Sequence, residues 1–210
     1  MEMGKPIAQA ESELEKCAKT CEYFAENAKQ MLADHVIATD YRRSYVCYQP
    51  LGTILAIMPW NFPYWQVIRC AVPATVAGNT VVLKHSDNTS GSALALADLW
   101  RQACGIDSVV TTLIADHAAV AGAIGDRRIH AVSLTGSERA GSAVASLAGK
   151  YLKKAVLELG GSDPYVVLAD ADIGIAARVC AESRYINSGQ SCVAAKRFIV
   201  VAPVFDAFVQ

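Results

Sequence analysis

Between Thr53 and Leu159 the chain alternates short apolar runs with longer stretches of helical periodicity, and this alternation limits the folds open to it more than any other feature. Thr53 to Met58 is apolar, too short for a helix, and suited to a strand buried on both faces. Thr80 to Lys84, Val109 to Ala115, Ile129 to Thr135 and Lys154 to Leu159 read the same way. Residues 64 to 77, 90 to 103 and 137 to 149 have helical spacing and close at Gly78-Asn79, Gly105 and Gly149. Repeated strand–helix–strand units with short connections predict an α/β fold, a Rossmann-like parallel sheet with helices on both faces.

In such sheets ligands bind beyond the carboxyl ends of the strands, where strand order reverses. Trp60 and Asn61 follow the first buried run, Lys84 ends the second, Gly136 and Ser137 follow the fourth, and Glu158 lies near the end of the fifth. Upstream, residues 9 to 34 carry Leu14, Cys17, Cys21, Phe24, Ala28 and Met31 at spacings of three and four, which predicts an amphipathic helix. Tyr45 to Gln49 alternates like an edge strand. After Gly161 the pattern restarts with a strand at Tyr165 to Leu168, a helix over 172 to 187 and a strand at Arg197 to Val201. The expected division is a cofactor-binding domain over residues 1–159 and the beginning of a second α/β, catalytic domain over 160–210.

Composition excludes several classes. A net charge of −1 without a basic stripe gives no footprint for nucleic acid. No apolar stretch reaches membrane-spanning length without a Pro, Gly or polar break, and the N-terminus lacks a signal-peptide layout. Seven cysteines, without tight regular spacing, fit a reducing compartment and hence the cytoplasm. Cys17 and Cys21 lie one helical turn apart but have no further Cys or His close in sequence, so core packing is the better reading and no metal is expected. His35, His85, His117 and His130 form no ligand pattern.

Two runs carry chemistry together. Cys192 closes Asn187-Ser-Gly-Gln-Ser-Cys192, and Glu158 sits in Leu157-Glu-Leu-Gly-Gly161. A lone Cys is more often a small buried hydrophobe than a nucleophile, and a lone Glu beside glycines is more often a solvated strand end. Their joint occurrence, with the Asn61 and Gly136-Ser137 turns, supplies a thiol nucleophile and a base for water. No GxGxxG follows the first strand. Leu134-Thr-Gly-Ser-Glu-Arg-Ala-Gly141 is the nearest substitute; its helix start offers free amides to a pyrophosphate, or Ser137 is a plain N-cap. Lys84 is either solvated or turned to ribose hydroxyls.

Taken in order, Met58-Pro-Trp-Asn-Phe-Pro63, Val82-Leu-Lys84, Leu134-Thr-Gly-Ser137, Leu157-Glu-Leu-Gly-Gly161 and Gly189-Gln-Ser-Cys192 closely resemble the aldehyde dehydrogenase superfamily. Trp65-Gln66, Lys84-His85, Gly160-Gly-Ser-Asp-Pro164 and Ala194-Ala-Lys-Arg197 make the chain most similar to succinate-semialdehyde dehydrogenases of the bacterial type. The resemblance implies oxidation of an aldehyde, with succinate semialdehyde favoured, to the acid with NAD or NADP. Cys192 forms a thioester, Asn61 and the Cys192 amide hold the oxyanion, and Glu158 activates water. It implies a cofactor along Trp60, Asn61, Lys84, His85, Ser86, Asp87, Gly136, Ser137 and Leu159. It also implies a homo-oligomer when full length, with residues about 39–50 as an oligomerisation-arm strand.

Against the family's usual pattern the chain is short and looks like an internal fragment. Lys84-His-Ser-Asp87 stands where many members have Lys-Pro-Ser-Glu. Asp87 is expected to repel a ribose phosphate, a slight lean to NAD. Arg69 matches an arginine that binds the substrate carboxylate, whereas Ile186 stands where a second such arginine is usual. Two alternatives stay open. One is an inactive nucleotide- or partner-binding fragment. The other is a CoA-acylating enzyme, against which the carboxylate of Glu158 argues.

Overall fold

The computed structural model describes residues 2–210. Helix α1 (Ile7–Met31) precedes a two-residue antiparallel ribbon, β1 (His35–Val36) with β2 (Tyr45–Val46). Then come β3 (Thr53–Met58), α2 (Trp65–Val76), β4 (Thr80–His85), α3 (Ser90–Cys104), β5 (Val110–Thr112), α4 (His117–Gly125), β6 (Ile129–Thr135), α5 (Glu138–Lys150) and β7 (Lys154–Glu158). Strands β3 to β7 form one all-parallel sheet in the order β5-β4-β3-β6-β7. The chain builds outward from β3 through β4 to β5, then returns to the other side of β3 with β6. The reversal falls between β3 and β6, and their carboxyl ends open onto the crevice there.

Each face of the sheet has its own core. Ala56, Met58, Val81 and Leu83 pack with Val67, Ala71, Leu96 and Trp100 of α2 and α3, and Cys17 of α1 joins them. On the opposite face Leu55, Val132 and Leu134 pack with Val120 and Ile124 of α4 and Val144 of α5. Residues alternate between the faces, so a strand with both faces covered is apolar throughout. Helix α4 was not signalled by the sequence because His117-Ala-Ala-Val-Ala-Gly-Ala-Ile-Gly125 is small or apolar on all sides and shows no amphipathic period. Asp116 starts it by accepting from the Ala119 amide at 2.8 Å.

The expected apolar stripe of α1 is only partly its packed face. Cys17 and Glu13 are buried and Phe24 half-buried, but Leu14, Cys21 and Met31 are exposed. A buried carboxylate takes the place of an apolar anchor: Glu13 Oε1 accepts from the Tyr64 and Trp65 amides at 2.8 Å each, and Lys5 pairs with Glu13. These amides lie at the N-terminus of α2, where a negative charge is favoured. The edge strand expected over Tyr45 to Gln49 is limited to Tyr45–Val46.

Beyond Gly161 lie β8 (Asp163–Val167), α6 (Ile173–Tyr185), β9 (Ala195–Val200) and α7 (Ala202–Val209); β8 and β9 pair in parallel as a separate two-stranded sheet. Helix α7 is an addition to the single helix read from the sequence; Pro203 in its first turn is compatible with a helix start. Few residues here are buried. Val167 is covered, Tyr165 is half-buried against Phe198 and bonded to Ser183, and Ile199 and Phe205 are exposed. Among the described residues no helix is long and apolar enough to cross a membrane, and no group of three His, Cys, Asp or Glu is placed to hold a metal.

Candidate active site

The carboxyl ends of β3, β6 and β7 bring Trp60, Asn61, Gly136, Ser137 and Leu159 to one open cavity of about 310 Å³, with Cys192 and Gln66 on its far side. Ser137 caps α5, its Oγ accepting from the Ala140 amide at 3.2 Å, so the plain N-cap reading applies at that hydroxyl. The remaining first-turn amides have no intrahelical acceptor and face the cavity end of the helix. A Cβ on Gly136 would meet nothing in the chain closer than 3.6 Å, so the missing side chain leaves the cavity open rather than relieving a clash. Gly141 is different. A Cβ there would lie 2.6 Å from Leu159, so the glycine lets the turn after β7 lie against α5. The donors and space suit an elongated phosphate-bearing ligand.

The thiol reaches this cavity on a strained turn. Asn187, Ser188 and Gly189 all have positive φ, at 54°, 57° and 76°. Left-handed geometry costs an ordinary L-residue about 1–2 kcal/mol, so neighbours must hold the turn in place. The buried Asn187 amide donates to Asn61 O at 2.7 Å and to Gln190 O at 3.2 Å, and its backbone N–H donates to Gln9 of α1 at 2.7 Å. Asn61 Nδ2 donates to Gln190 O at 2.9 Å, leaving its second hydrogen free. On the outer side Lys196 Nζ donates to Cys192 O at 2.7 Å and Gly161 O at 2.6 Å, and Arg197 donates to Ser162 O. The Cys192 turn is thus tied to α1, to the end of β3 and to the turn after β7.

A second cavity of about 440 Å³ opens on the other side of the same thiol, between α1, α2 and the 186–193 segment. Gln66, Ser191 and Cys192 line both cavities. The Gln66 side chain is buried and its Oε1 has no partner, as does Asn187 Oδ1. A buried unpaired acceptor costs about 1–3 kcal/mol, and at this wall a bound donor can relieve it.

Glu158 does not share a cavity with Cys192. Its carboxylate lies 3.2 Å from the Arg69 guanidinium and is about half exposed; the two residues border a third hollow below α2. An ion pair this exposed contributes ~0–1 kcal/mol, so it breaks readily. Arg69 also lines the cavity between α1 and α2.

Lys84, His85 and Asp87 border a separate hollow at the ends of β4 and β5. Lys84 Nζ sits 2.8 Å from Asp87, and its hydrogen bond and charge hold the Asp87 carboxyl below the usual carboxylate range. The expected repulsion between Asp87 and a phosphate is weakened by that ammonium. His85 borders the hollow, but the polar atoms of its ring are turned to the chain. Its ring is buried, Nε2 donates to Pro63 O at 2.9 Å, and Nδ1 accepts from the Ser86 amide and pairs with the Thr89 hydroxyl. It braces the loop after β4 against the Trp60 segment. Ser86 Oγ donates to Asn88.

Gln66 and Ser191 entered the sequence reading only as parts of the runs that carry the resemblance, and the α1 residues Gln9, Ser12 and Lys16 were not singled out, although the 9-12-16 spacing places these three on one helix face.

Comparison with known proteins matches residues 1–210 to the family described as "Aldehyde dehydrogenase family". The chain is similar to a Synechocystis protein named "Probable succinate-semialdehyde dehydrogenase", with NADP(+) in its name, at 50% identity over all of this chain and 46% of that protein. It is similar to the Escherichia coli succinate semialdehyde dehydrogenase Sad, named for NAD(P)+, at 48% identity, 100% of this chain and 45% of the relative. The crystal structure of succinic semialdehyde dehydrogenase from Streptococcus pyogenes with NADP+ superposes with a TM-score of 0.95 at 40% identity, over 99% of this chain and 46% of that one. The chain therefore spans about half the length of the relatives it matches.

Proposed function

Because the chain belongs to the aldehyde dehydrogenase family, we propose that it carries the nucleophile-bearing part of an enzyme that oxidises an aldehyde, with succinate semialdehyde as the favoured substrate, to the acid through a cysteine thioester. The observation that carries this reading is the placing of Cys192 in a wall common to two cavities. One has the strand ends and helix start that suit a dinucleotide. The other, between α1 and α2, leaves a separate path for the aldehyde.

Cys192, as thiolate, attacks the aldehyde carbon. The oxyanion is held by the free Asn61 amide hydrogen and the Cys192 backbone N–H, each such donor being worth about 3 kcal/mol. A bound NAD(P) supplies the hydride acceptor. Trp60, Gly136, Ser137 and Leu159 border the space it needs, and Lys84 and Asp87 lie at the far hollow. Glu158 then leaves Arg69, turns toward the thioester and takes a proton from water; Arg69 is left free for a substrate carboxylate. The cofactor is taken as NAD(P). The relatives' names carry NADP(+) or NAD(P)+, so the lean to NAD drawn from Asp87 has no support from them, and the Lys84 ion pair is its physical weakness. A cytoplasmic, homo-oligomeric full-length protein, with residues about 39–50 in the oligomer arm, completes the proposal.

In the full-length form, steady-state assays with a panel of aldehydes and both cofactors test this. Cys192→Ala is expected to abolish turnover while cofactor binding persists. Glu158→Gln is expected to keep a burst of reduced cofactor and slow turnover about 100-fold or more. An unchanged steady-state rate in E158Q removes Glu158 from the mechanism. The 210-residue chain alone is expected to show no turnover.

A further inference from the structure

Four residues of α1, Gln9, Ser12, Glu13 and Lys16, face the aldehyde-side cavity that contains Cys192. The helix cannot drift from this position easily, because Gln9 holds the Asn187 amide and Glu13 holds the start of α2. Their charges are not balanced alike. Glu13 is neutralised by Lys5, and Arg69 by Glu158. Lys16 forms no ion pair among the described residues. Its ammonium rests 3.7 Å from the centroid of the Trp65 ring. Trp65 and Arg69 are one helical turn apart on α2, so the two cations flank the same side of the cavity.

We propose that Lys16 is a specificity-determining residue that anchors the carboxylate of an aldehyde bearing a second, anionic end. The inference rests on the reading of Cys192 as the nucleophile. An ammonium over an indole is held weakly when exposed. A carboxylate arriving in the cavity offers a charge-assisted hydrogen bond instead. Ile186, standing where the resemblance makes a second arginine usual, lines this cavity as an apolar residue, and Lys16 of α1 supplies the second cation. The substrate carboxylate then has Lys16 free at once, and Arg69 when Glu158 turns away.

The charge of the cavity is readable without turnover. Cys192 is alkylated in the full-length form with iodoacetate or iodoacetamide, which differ in a carboxylate against an amide, and each cysteine is quantified by peptide mass spectrometry. The exposed Cys104, at the end of α3, is the internal reference. The iodoacetate-to-iodoacetamide rate ratio at Cys192, normalised to Cys104, is expected to fall about fivefold in Lys16→Met and Lys16→Gln, as for loss of one screened charge near the thiol. Lys16→Arg is expected to stay within about twofold of the parent chain. An unchanged ratio in both neutral variants, with iodoacetamide reactivity at Cys192 intact, overturns the role of Lys16 and leaves the nucleophile standing. A Cys192 that reacts with iodoacetamide no faster than Cys104 in the parent chain overturns the nucleophile reading and this inference with it.

Discussion

The sheet of β3 to β7 and the segment from Gly161 to Gln210 hold their halves of the site by different means. The sheet fixes Trp60, Asn61, Gly136 and Leu159 at the ends of strands whose two faces are both covered, with Leu55 and Leu83 wholly buried. Cys192 belongs to a segment whose α7 has no buried residue and whose β9 exposes Phe198 and Ile199. Its position depends on a small number of polar ties, those of Asn187, Gln9 and Lys196. The strand-end side of the cavity is therefore set by packing across two covered faces, and the Cys192 side by hydrogen bonds around the short buried run of Ser191, Ala194 and Ala195.

Stability measurements separate the two most sharply. Leu55→Ala removes a fully buried side chain between β3, β6 and the α4–α5 layer and is expected to cost about 3–5 kcal/mol in urea unfolding. Ile199→Ala, on the open face of β9, is expected to cost under about 1 kcal/mol. Equal losses would erase the distinction. Asn187→Ala removes two donated bonds and the side chain of a left-handed residue. It is expected to lower the local opening free energy of residues 187–193 by about 1–3 kcal/mol in amide hydrogen exchange, with β3 and β4 protection unchanged. If the strands lose protection as well, the turn and the sheet are one cooperative unit.

Smaller effects refine the sheet side. Ser137→Ala is expected to cost about 1 kcal/mol through loss of the α5 cap. Burial pushes the His85 imidazole below its ordinary value of 6.5. The unfolded chain thus takes up a proton first as the medium is acidified. The stability tied to neutral His85 is complete above about 6.5 and declines as pH falls from there to the lowered folded-state value. Melting temperatures at pH 7.5, 6.5 and 5.5 are expected to show that decline in the parent chain and a shallower one in His85→Asn. On the other region, Ile199→Ser with Phe205→Ser is expected to change unfolding free energy by under about 0.5 kcal/mol yet raise the soluble fraction, since the parent chain is expected to be poorly soluble or oligomeric. No gain in solubility would place the sticking surface elsewhere.

The same contrast explains what could be read from the residues alone. Thr53–Met58 and Ile129–Thr135 were legible to the residue because strands covered on both faces are largely apolar over a short length, and these two end abruptly at Pro59 and Gly136. Helix α4 was not, because its residues lack a polar side, and α7 was not, because only eight residues form it. At the site, Asn61, Gly136 and Cys192 stood out by spacing and converge on one cavity. The pairing of Glu158 with Arg69 joins residues of two elements far apart in sequence, and no local pattern announces it. The packed face of α1 was misjudged for a related reason. Glu13 is buried because two amides of α2 and Lys5 await it, a reason that lies outside the helix.

The position of β3 also bears on the order in which the molecule is assembled. Thr53 pairs with Thr80 on one side and with Ile129 on the other, a much longer closure. Chain entropy makes the longer loop costlier by about 1 kcal/mol. As the polypeptide leaves the ribosome, β3, β4 and their helices have one complete core face to collapse around before β6 exists. The later arrival of β6, α5 and β7 zips onto the bare edge of β3. The crevice bordered by Asn61, Gly136 and Leu159 straddles that seam, so a chain stalled before β6 is expected to lack one wall of it.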